Sequence, residues 1–343
     1  EFIQVNPFAY ADYTDIQLAM PTSLEAFQES LAIRFPDQRQ GIIDLLALCK
    51  KIAIQASYAD SIMANASTQE IPIKLAELIK FRHTTLAEVF SQFIEVPQLQ
   101  SIFATHWPYL GLPPSKLSFV YWAVMMISYL EDGAYYCRGG FQKLAEALVN
   151  GLTKHGGTIR FKSQVQNIKV SDNQVHCVIL SNGELIAAPT IIVNSDVRSA
   201  IFQMIGAEYF PKRYLARLNK MQTSLSIFVV YIATDLNLQT IEPHHEAFHY
   251  TSFDHESNYL DSKQGKLSWI SITIPSLLDN SLAPKGTHIL MLTTLVDYQA
   301  ADWVTAKRDF AEQMLDFADH KLPGLKQHTL LIEAGSPLTL ERY

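Results

Sequence analysis

The stretch from Gly139 to Asp196 constrains this chain more than any other, because the order of its elements fixes a local structure and points to a chemistry. After Gly139-Gly140, the residues Phe141, Leu144, Ala145, Leu148 and Leu152 recur at spacings of three and four, with Gln142, Lys143, Glu146 and Lys154 on the other side. That period predicts an amphipathic helix with one buried stripe, ended by Gly156-Gly157. Strands are expected at 158–161, 164–170 and 174–180, the last two joined by a turn at Asp172-Asn173. Asn182-Gly183 is the dipeptide favoured by two-residue hairpins, in which both central residues take positive φ, and 184–187 returns as the partner strand. Thr190-Ile191-Ile192-Val193 is an unbroken apolar run, expected as a strand covered on both faces. It stops at Asn194-Ser195-Asp196, where a helix is expected to start.

Around this block the period changes twice. Residues 2–9 and 16–20 read as two strands around the polar turn 11–15, at a sheet edge. Thr22-Ser23-Leu24-Glu25 has the capping-box spacing, a hydroxyl three residues before a glutamate, and opens a helix that Pro36 breaks. A long helix follows over 37–66. Pro72, the box Thr85-Leu86-Ala87-Glu88, and Pro97 open further helices, so 25–130 forms a helical cap. From Ser224 onward, 225–232, 247–252, 267–274 and 288–296 are rich in β-branched and aromatic residues and are expected to form one sheet. A helix over 303–321, ended by Pro323-Gly324, and a strand over 329–334 complete the chain.

Composition closes off several functions. A net charge of -7 leaves no basic surplus to neutralise phosphates, so nucleic acid is not an expected partner. Cys49, Cys137 and Cys177 are widely spaced and suit buried, reduced thiols of a cytoplasmic protein. Residues 117–130 carry no charge yet fall short of the roughly 20 residues of a spanning helix. A buried helix is the first reading; peripheral membrane contact through 117–130, by shallow insertion, is the second. The expected localisation is cytoplasmic, with or without that membrane association.

Chemistry-bearing motifs are few. No two glycines are separated by one residue, so G-x-G-x-x-G, which lets backbone approach a pyrophosphate at a helix start, is absent, as is the nucleoside triphosphate loop. No G-x-S-x-G occurs, and Cys137 has no base beside it in sequence. Glu131-Asp132 reads as a solvated pair. His245-Glu246-Ala247-Phe248-His249 matches H-E-x-x-H of zinc peptidases. Its context, Pro243 before and Tyr250-Thr251-Ser252-Phe253 after, predicts a strand instead. On a strand the two histidines lie on one side about 13 Å apart, too far to share a metal.

The Gly139 to Asp196 block resembles the middle of flavoproteins in the phytoene desaturase superfamily, nearest the carotenoid isomerase and retinol saturase branch of the amine-oxidase-type flavoproteins. Tyr109-Leu110-Gly111-Leu112-Pro113-Pro114, Gly133-Ala134-Tyr135-Tyr136 before Gly139-Gly140, and the ending Ser336-Pro337-Leu338-Thr339-Leu340-Glu341-Arg342-Tyr343 fall in the same order. The resemblance implies an α/β (α+β) fold: the substrate domain of a glutathione-reductase-type FAD oxidoreductase, with a mixed sheet and helical cap, plus a partial FAD-binding domain lacking the G-x-G-x-x-G segment. The expected division is 1–135, first part of the substrate domain; 136–200, middle of the FAD-binding domain; and 201–343, the rest of the substrate domain. The chain thus reads as an internal fragment that by itself does not retain FAD and is inactive.

Residue by residue, the resemblance places Gly139 and Gly140 beside the flavin and substrate cavity, Val165 at the adenine of FAD, and Asn194 and Ser195 near the ADP half. Free N–H groups and small residues at a helix start are the physical reason for the glycines. Trp107, Tyr109, Trp122, Tyr135 and Tyr136 are expected to line an apolar tunnel. The implied activity of the parent is desaturation, saturation or isomerisation of a carotenoid- or retinoid-like polyene, an apolar small molecule. Two alternatives stand beside it: a flavin amine oxidase, favoured by an acidic or aromatic cage, and a non-catalytic scaffold.

Overall fold

A computed structural model describes residues 1–238, 241 and 244–342; Pro243 and Tyr343 lie outside the described residues. The chain divides into two units, a large one of 1–144 and 224–343 and a small one of 145–223.

The large unit is built on a seven-stranded mixed sheet. Strands β2 (Ala9–Asp12), β3 (Gln17–Met20), β8 (Ser226–Thr234), β9 (Glu246–Tyr250), β10 (Trp269–Thr273), β11 (His288–Val296) and β12 (Thr329–Gly335) lie in the order β12-β8-β11-β10-β9-β2-β3. Every pairing is antiparallel except β2 with β9. The strands expected after Ser224 therefore do share one sheet. Residues 2–9 are not one strand, however: cis Asn6-Pro7 separates β1 (Phe2–Val5) from β2, and Asp12, expected in a turn, pairs with His249. β1 instead forms a two-stranded ribbon with β4 (Ala134–Cys137).

Alternation along β10 separates two cores, as a period of two requires. Trp269 belongs to the core under the helices, whereas Ile270 and Ile272 belong to the core under α12 (Trp303–Lys321). The helical layer contains α1 (Leu24–Arg34), α2 (Arg39–Asn65), α3 (Ile71–Lys74), α4 (Ala76–Phe81), α5 (Leu86–Phe93), α6 (Pro97–Phe103), α7 (Trp107–Leu110) and α8 (Phe119–Ile127). The capping box on α5 is complete, since Thr85 Oγ1 accepts from Glu88 N–H and Glu88 accepts from Thr85 N–H. On α1 the cap sits one residue later than expected: Ser23, not Thr22, accepts from Ala26 N–H. In α8, Phe119, Trp122, Ala123, Met126 and Ile127 are buried against the helical core, which leaves Tyr121 as its exposed large side chain. Among the described residues no helix is long and apolar enough to cross a membrane. Cys49, Cys137 and Cys177 are free and buried.

The small unit holds an antiparallel meander, β5 (Val165–Ser171), β6 (Gln174–Leu180) and β7 (Leu185–Ala187), with α10 (Lys212–Lys220) after it. Its turns exchange the chemistry expected of them. Asp172 and Asn173 both take positive φ, 50° and 58°, as a two-residue hairpin requires. At Asn182-Gly183 only the glycine does, because Gly183 N–H bonds to Leu180 O and the Asn182 side chain instead accepts from Glu184 N–H.

Three expectations fail in and around this unit. Residues 158–161 form no strand, and Phe161 is 82% exposed. Residues 190–193 form no strand either, and Ile192 is 92% exposed. The helix at the glycine pair, α9 (Phe141–Lys154), forms as predicted but buries none of its residues, and Leu148 is 68% exposed. In each case the local pattern is right for burial, but a strand covered on both faces needs a ladder partner and two covering layers. No described residue supplies them. Asp196 does cap the next helical turn, accepting from Ser199 N–H at 2.8 Å.

Candidate functional site

A cavity of about 1030 Å3 opens within the large unit. Its floor is the face of the sheet opposite α12: Tyr231 and Ala233 of β8 and Ile289 and Met291 of β11 point into it, while their alternates Phe228, Val230 and Leu292 fill the α12 core. The opposite wall comes from α7, α8, the helical turn after it and the β1–β4 ribbon, through Tyr109, Met125, Tyr129, Tyr135 and Tyr136. Most of the surface is aliphatic or aromatic. Its acidic lining residue, Glu246, lies on the sheet.

Glu246 opens β9 and stands directly across from Thr273 of β10. Thr273 Oγ1 donates to its Oε2 at 2.8 Å, and the Tyr109 hydroxyl donates to Oε1 at 3.4 Å. No cation pairs with it in any described ion pair. Burial pushes its carboxyl up to about 7, and the two hydroxyl bonds only partly offset that. His245, next in the wall, has Nδ1 3.3 Å from Ile274 O, and burial holds its imidazole below the usual range.

The histidine motif resolves as a strand, with one correction. His245 precedes the strand and lines the cavity, whereas His249 is buried elsewhere, with Nδ1 2.6 Å from Asp12 Oδ2. The two do not share a side, because the alternation of β9 does not extend back to His245. Lys321 Nζ also donates to Asp12 Oδ2, at 2.8 Å, so β2, β9 and α12 meet at one carboxylate. Burial works against ionising Asp12, but its bonds to His249 and Lys321 outweigh that and hold it below the usual range. His249 is shifted down by burial, which the Asp12 bond only partly opposes, so a neutral imidazole donating to an ionised Asp12 is the consistent arrangement. No cluster of three metal-binding side chains occurs among the described residues.

Behind the cavity wall lies His106, 0% exposed, with neither ring nitrogen hydrogen-bonded. Its ring packs against Phe8, Tyr109, Tyr129 and Phe248, and burial alone brings its pKa down to about 3.

The residues singled out from the sequence distribute as follows. Tyr109, Tyr135 and Tyr136 line the cavity, but Trp107 and Trp122 are wholly buried in the helical core and take no part in it. Gly139 and Gly140 take φ of +79° and +86°, which explains the residue type. Their expected free N–H groups are not free: Gly139 N–H bonds to Asp279 at 2.7 Å and Gly140 N–H to Cys137 O. What Gly140 offers is room, since an added Cβ would come no nearer than 3.9 Å to another group. Val165 begins β5 in the small unit, paired with Leu180, and Asn194 and Ser195 are exposed outside any strand. These residues do not by themselves make a pyrophosphate cradle, which needs several unspent N–H groups at one helix start.

Glu246, Tyr129 and Thr273 were not singled out as cavity residues. The available signal was a lone acidic residue at the head of a strand otherwise made of Ala247, Phe248, His249 and Tyr250. The zinc-motif reading drew attention to its histidine neighbours instead.

The fold is a mixed α/β arrangement shared with amine-oxidase and other oxidoreductase structures. It superimposes on the PF1083 protein of Pyrococcus furiosus with a TM-score of 0.61 at 17% identity, covering 98% of this chain and 68% of that one. Cyclohexylamine oxidase of Brevibacterium oxydans gives 0.57 at 12% identity, covering 99% and 69%. The profile of the family described as flavin containing amine oxidoreductase matches residues 8–321, and the chain belongs to that family. FAD is the cofactor this membership carries. A chloroplastic prolycopene isomerase of Daucus carota is 26% identical over 331 residues, 92% of this chain and 53% of the relative. A lycopene-forming phytoene desaturase of Pseudescherichia vulneris is 24% identical over 258 residues, 72% of this chain and 51% of the relative. The chain spans about half the length of these curated relatives.

Proposed function

We propose that this chain is the substrate-binding portion, with the middle of the FAD-binding portion, of an FAD-dependent oxidoreductase that desaturates, saturates or isomerises double bonds of a carotenoid- or retinoid-like polyene. The observation that carries the reading is the cavity: about 1030 Å3, walled by tyrosines and aliphatic side chains, with one carboxyl that burial raises to about 7 and no cation pairing with it among the described residues. Such a chamber suits a long apolar molecule, and the flavin, when bound, would supply the hydride or electron chemistry. This chain's part is to bind the polyene, exclude water and fix its position.

In this reading residues 1–135 and 201–343 form a substrate domain of the glutathione-reductase type. The segment 136–200 belongs to the flavin domain, with Gly139 and Gly140 beside the cavity and Val165, Asn194 and Ser195 toward the adenosine half. Because the described residues offer no pyrophosphate cradle, this reading assigns flavin retention to the full-length parent.

A flavin amine oxidase is the second reading, and the five cavity tyrosines with Glu246 are what favour it. Purified protein from the complete gene decides between them. It is expected to carry flavin absorbance and to change the double-bond geometry or saturation of a carotenoid, read by chromatography and absorption spectrum. Absence of flavin overturns the proposal, and turnover of amines with no change in any polyene selects the second reading.

A further inference from the structure

The cavity of the large unit is mostly apolar, and the hydrogen bonds of one corner, at Glu246, are incomplete. Thr273 satisfies Glu246 Oε2 at 2.8 Å. Oε1 meets only the Tyr109 hydroxyl, at 3.4 Å, well beyond the 2.5 to 3.0 Å range usual for O–H···O bonds. The carboxyl faces into the cavity, so a polar group that reaches this corner can complete its bonding. A hydrocarbon packed against that corner seals a polar group away from solvent without a partner, which is costly, whereas a ligand oxygen placed there supplies the bond.

We propose that Glu246, held by Thr273 and Tyr109, determines the cavity's specificity by anchoring a neutral oxygen, a hydroxyl or carbonyl, on an otherwise apolar ligand. This rests on the polyene reading and narrows it: the preferred polyenes carry an oxygen at the end that reaches β9. No covalent step is involved. Sites built around a hydrogen bond discriminate mainly by penalising the analogue that cannot make it. The anchor arrives preformed, because Glu246 and Thr273 are cross-strand partners and Tyr109 sits on a helix whose neighbours Trp107 and Pro108 are buried. His245, uncharged beside it, adds no competing charge.

The test uses the 343-residue chain and two probes with the same carbon skeleton: retinol, and the same polyene with a methyl group in place of its hydroxymethyl. Quenching of the four tryptophans by the polyene reports binding. Wild-type protein is expected to bind the alcohol about tenfold more tightly, the equivalent of roughly 1.4 kcal/mol. Glu246→Gln, which keeps a donor and an acceptor, is expected to preserve that ratio within about threefold. Glu246→Leu is expected to bring it to about one by binding the hydrocarbon at least as well as wild type does.

Equal affinity of wild-type protein for the two probes overturns the proposal whatever the variants do, and leaves the polyene reading intact. A preference that survives in Glu246→Leu also overturns it. Binding of neither probe to the wild-type chain overturns both. Should Glu246→Leu fail to fold, the wild-type ratio and its retention in Glu246→Gln still decide.

Discussion

Replacing His106 by phenylalanine tests the electrostatics of the cavity's back wall. In the folded protein its imidazole is enclosed by Phe8, Tyr109, Tyr129 and Phe248, bonded to nothing, with a pKa of about 3. In the unfolded chain it titrates near 6.5. Between those values the unfolded state binds more protons, so this group's contribution makes stability fall as pH falls from 6.5 toward 3 and leaves it unchanged above 6.5. At about 1.4 kcal/mol per pH unit, the loss at pH 5 is about 2 kcal/mol relative to pH 8. His106→Phe removes it. Other buried groups, including His255 with its pKa of about 4, titrate alike in both proteins and cancel in the difference. The assay is urea unfolding at pH 8 and pH 5, followed by tryptophan fluorescence. All four tryptophans, Trp107, Trp122, Trp269 and Trp303, lie in the large unit, so the signal reports that unit alone. The variant's stability relative to wild type should rise by about 2 kcal/mol from pH 8 to pH 5. Equal pH dependence in the two proteins would show that the imidazole finds a partner or water, and the reasoning would fail.

The remaining predictions concern the opposite sign of titration and two glycines. Glu246→Gln should gain on wild type as pH rises through 4.5 to 7, by up to about 3 kcal/mol, because the folded state holds its proton after the unfolded state has lost it; the same urea series reads this, and a flat difference refutes it. Gly41→Ala and Gly151→Ala should move stability in opposite directions although both glycines are helical. At Gly151 nothing lies within 4 Å of an added Cβ, so alanine should stabilise by about 1 kcal/mol, whereas at Gly41 the Cβ would fall 1.9 Å from the Phe93 carbonyl oxygen and destabilise, as paired thermal melts would show.

Elements that depend on near neighbours were legible in the sequence. The box at Thr85 and Glu88, the break at Pro36 and the strands after Ser224 all follow from local propensity, and each appears within a few residues of its expected place. What escaped was set by longer-range geometry. Asp12 reads as turn until β9 arrives beside it and supplies His249, 237 residues away. Trp107 and Trp122 look identical in sequence to cavity aromatics, and only the packing of α7 and α8 decides that they face the core. Glu246 escaped because a single acidic residue has no period; its meaning comes from standing across from Thr273 and near Tyr109, on two other elements.

The failed expectations in the small unit bear on function. Ile192, Phe161 and the stripe of α9 follow patterns that natural sequences use for buried surfaces, yet they are exposed. Exposed apolar residues are common singly, but an apolar strand run and a complete helix stripe together need covering. The cavity-bearing unit differs: its strand alternation closes two cores, and the cavity wall forms from its own residues. The contrast follows from the proposed division of labour. In that reading a substrate chamber needs only the sheet and its helical cap to take shape, whereas a flavin-binding half would also need a phosphate-binding turn. The proposed reading therefore expects polyene binding to be separable from flavin binding.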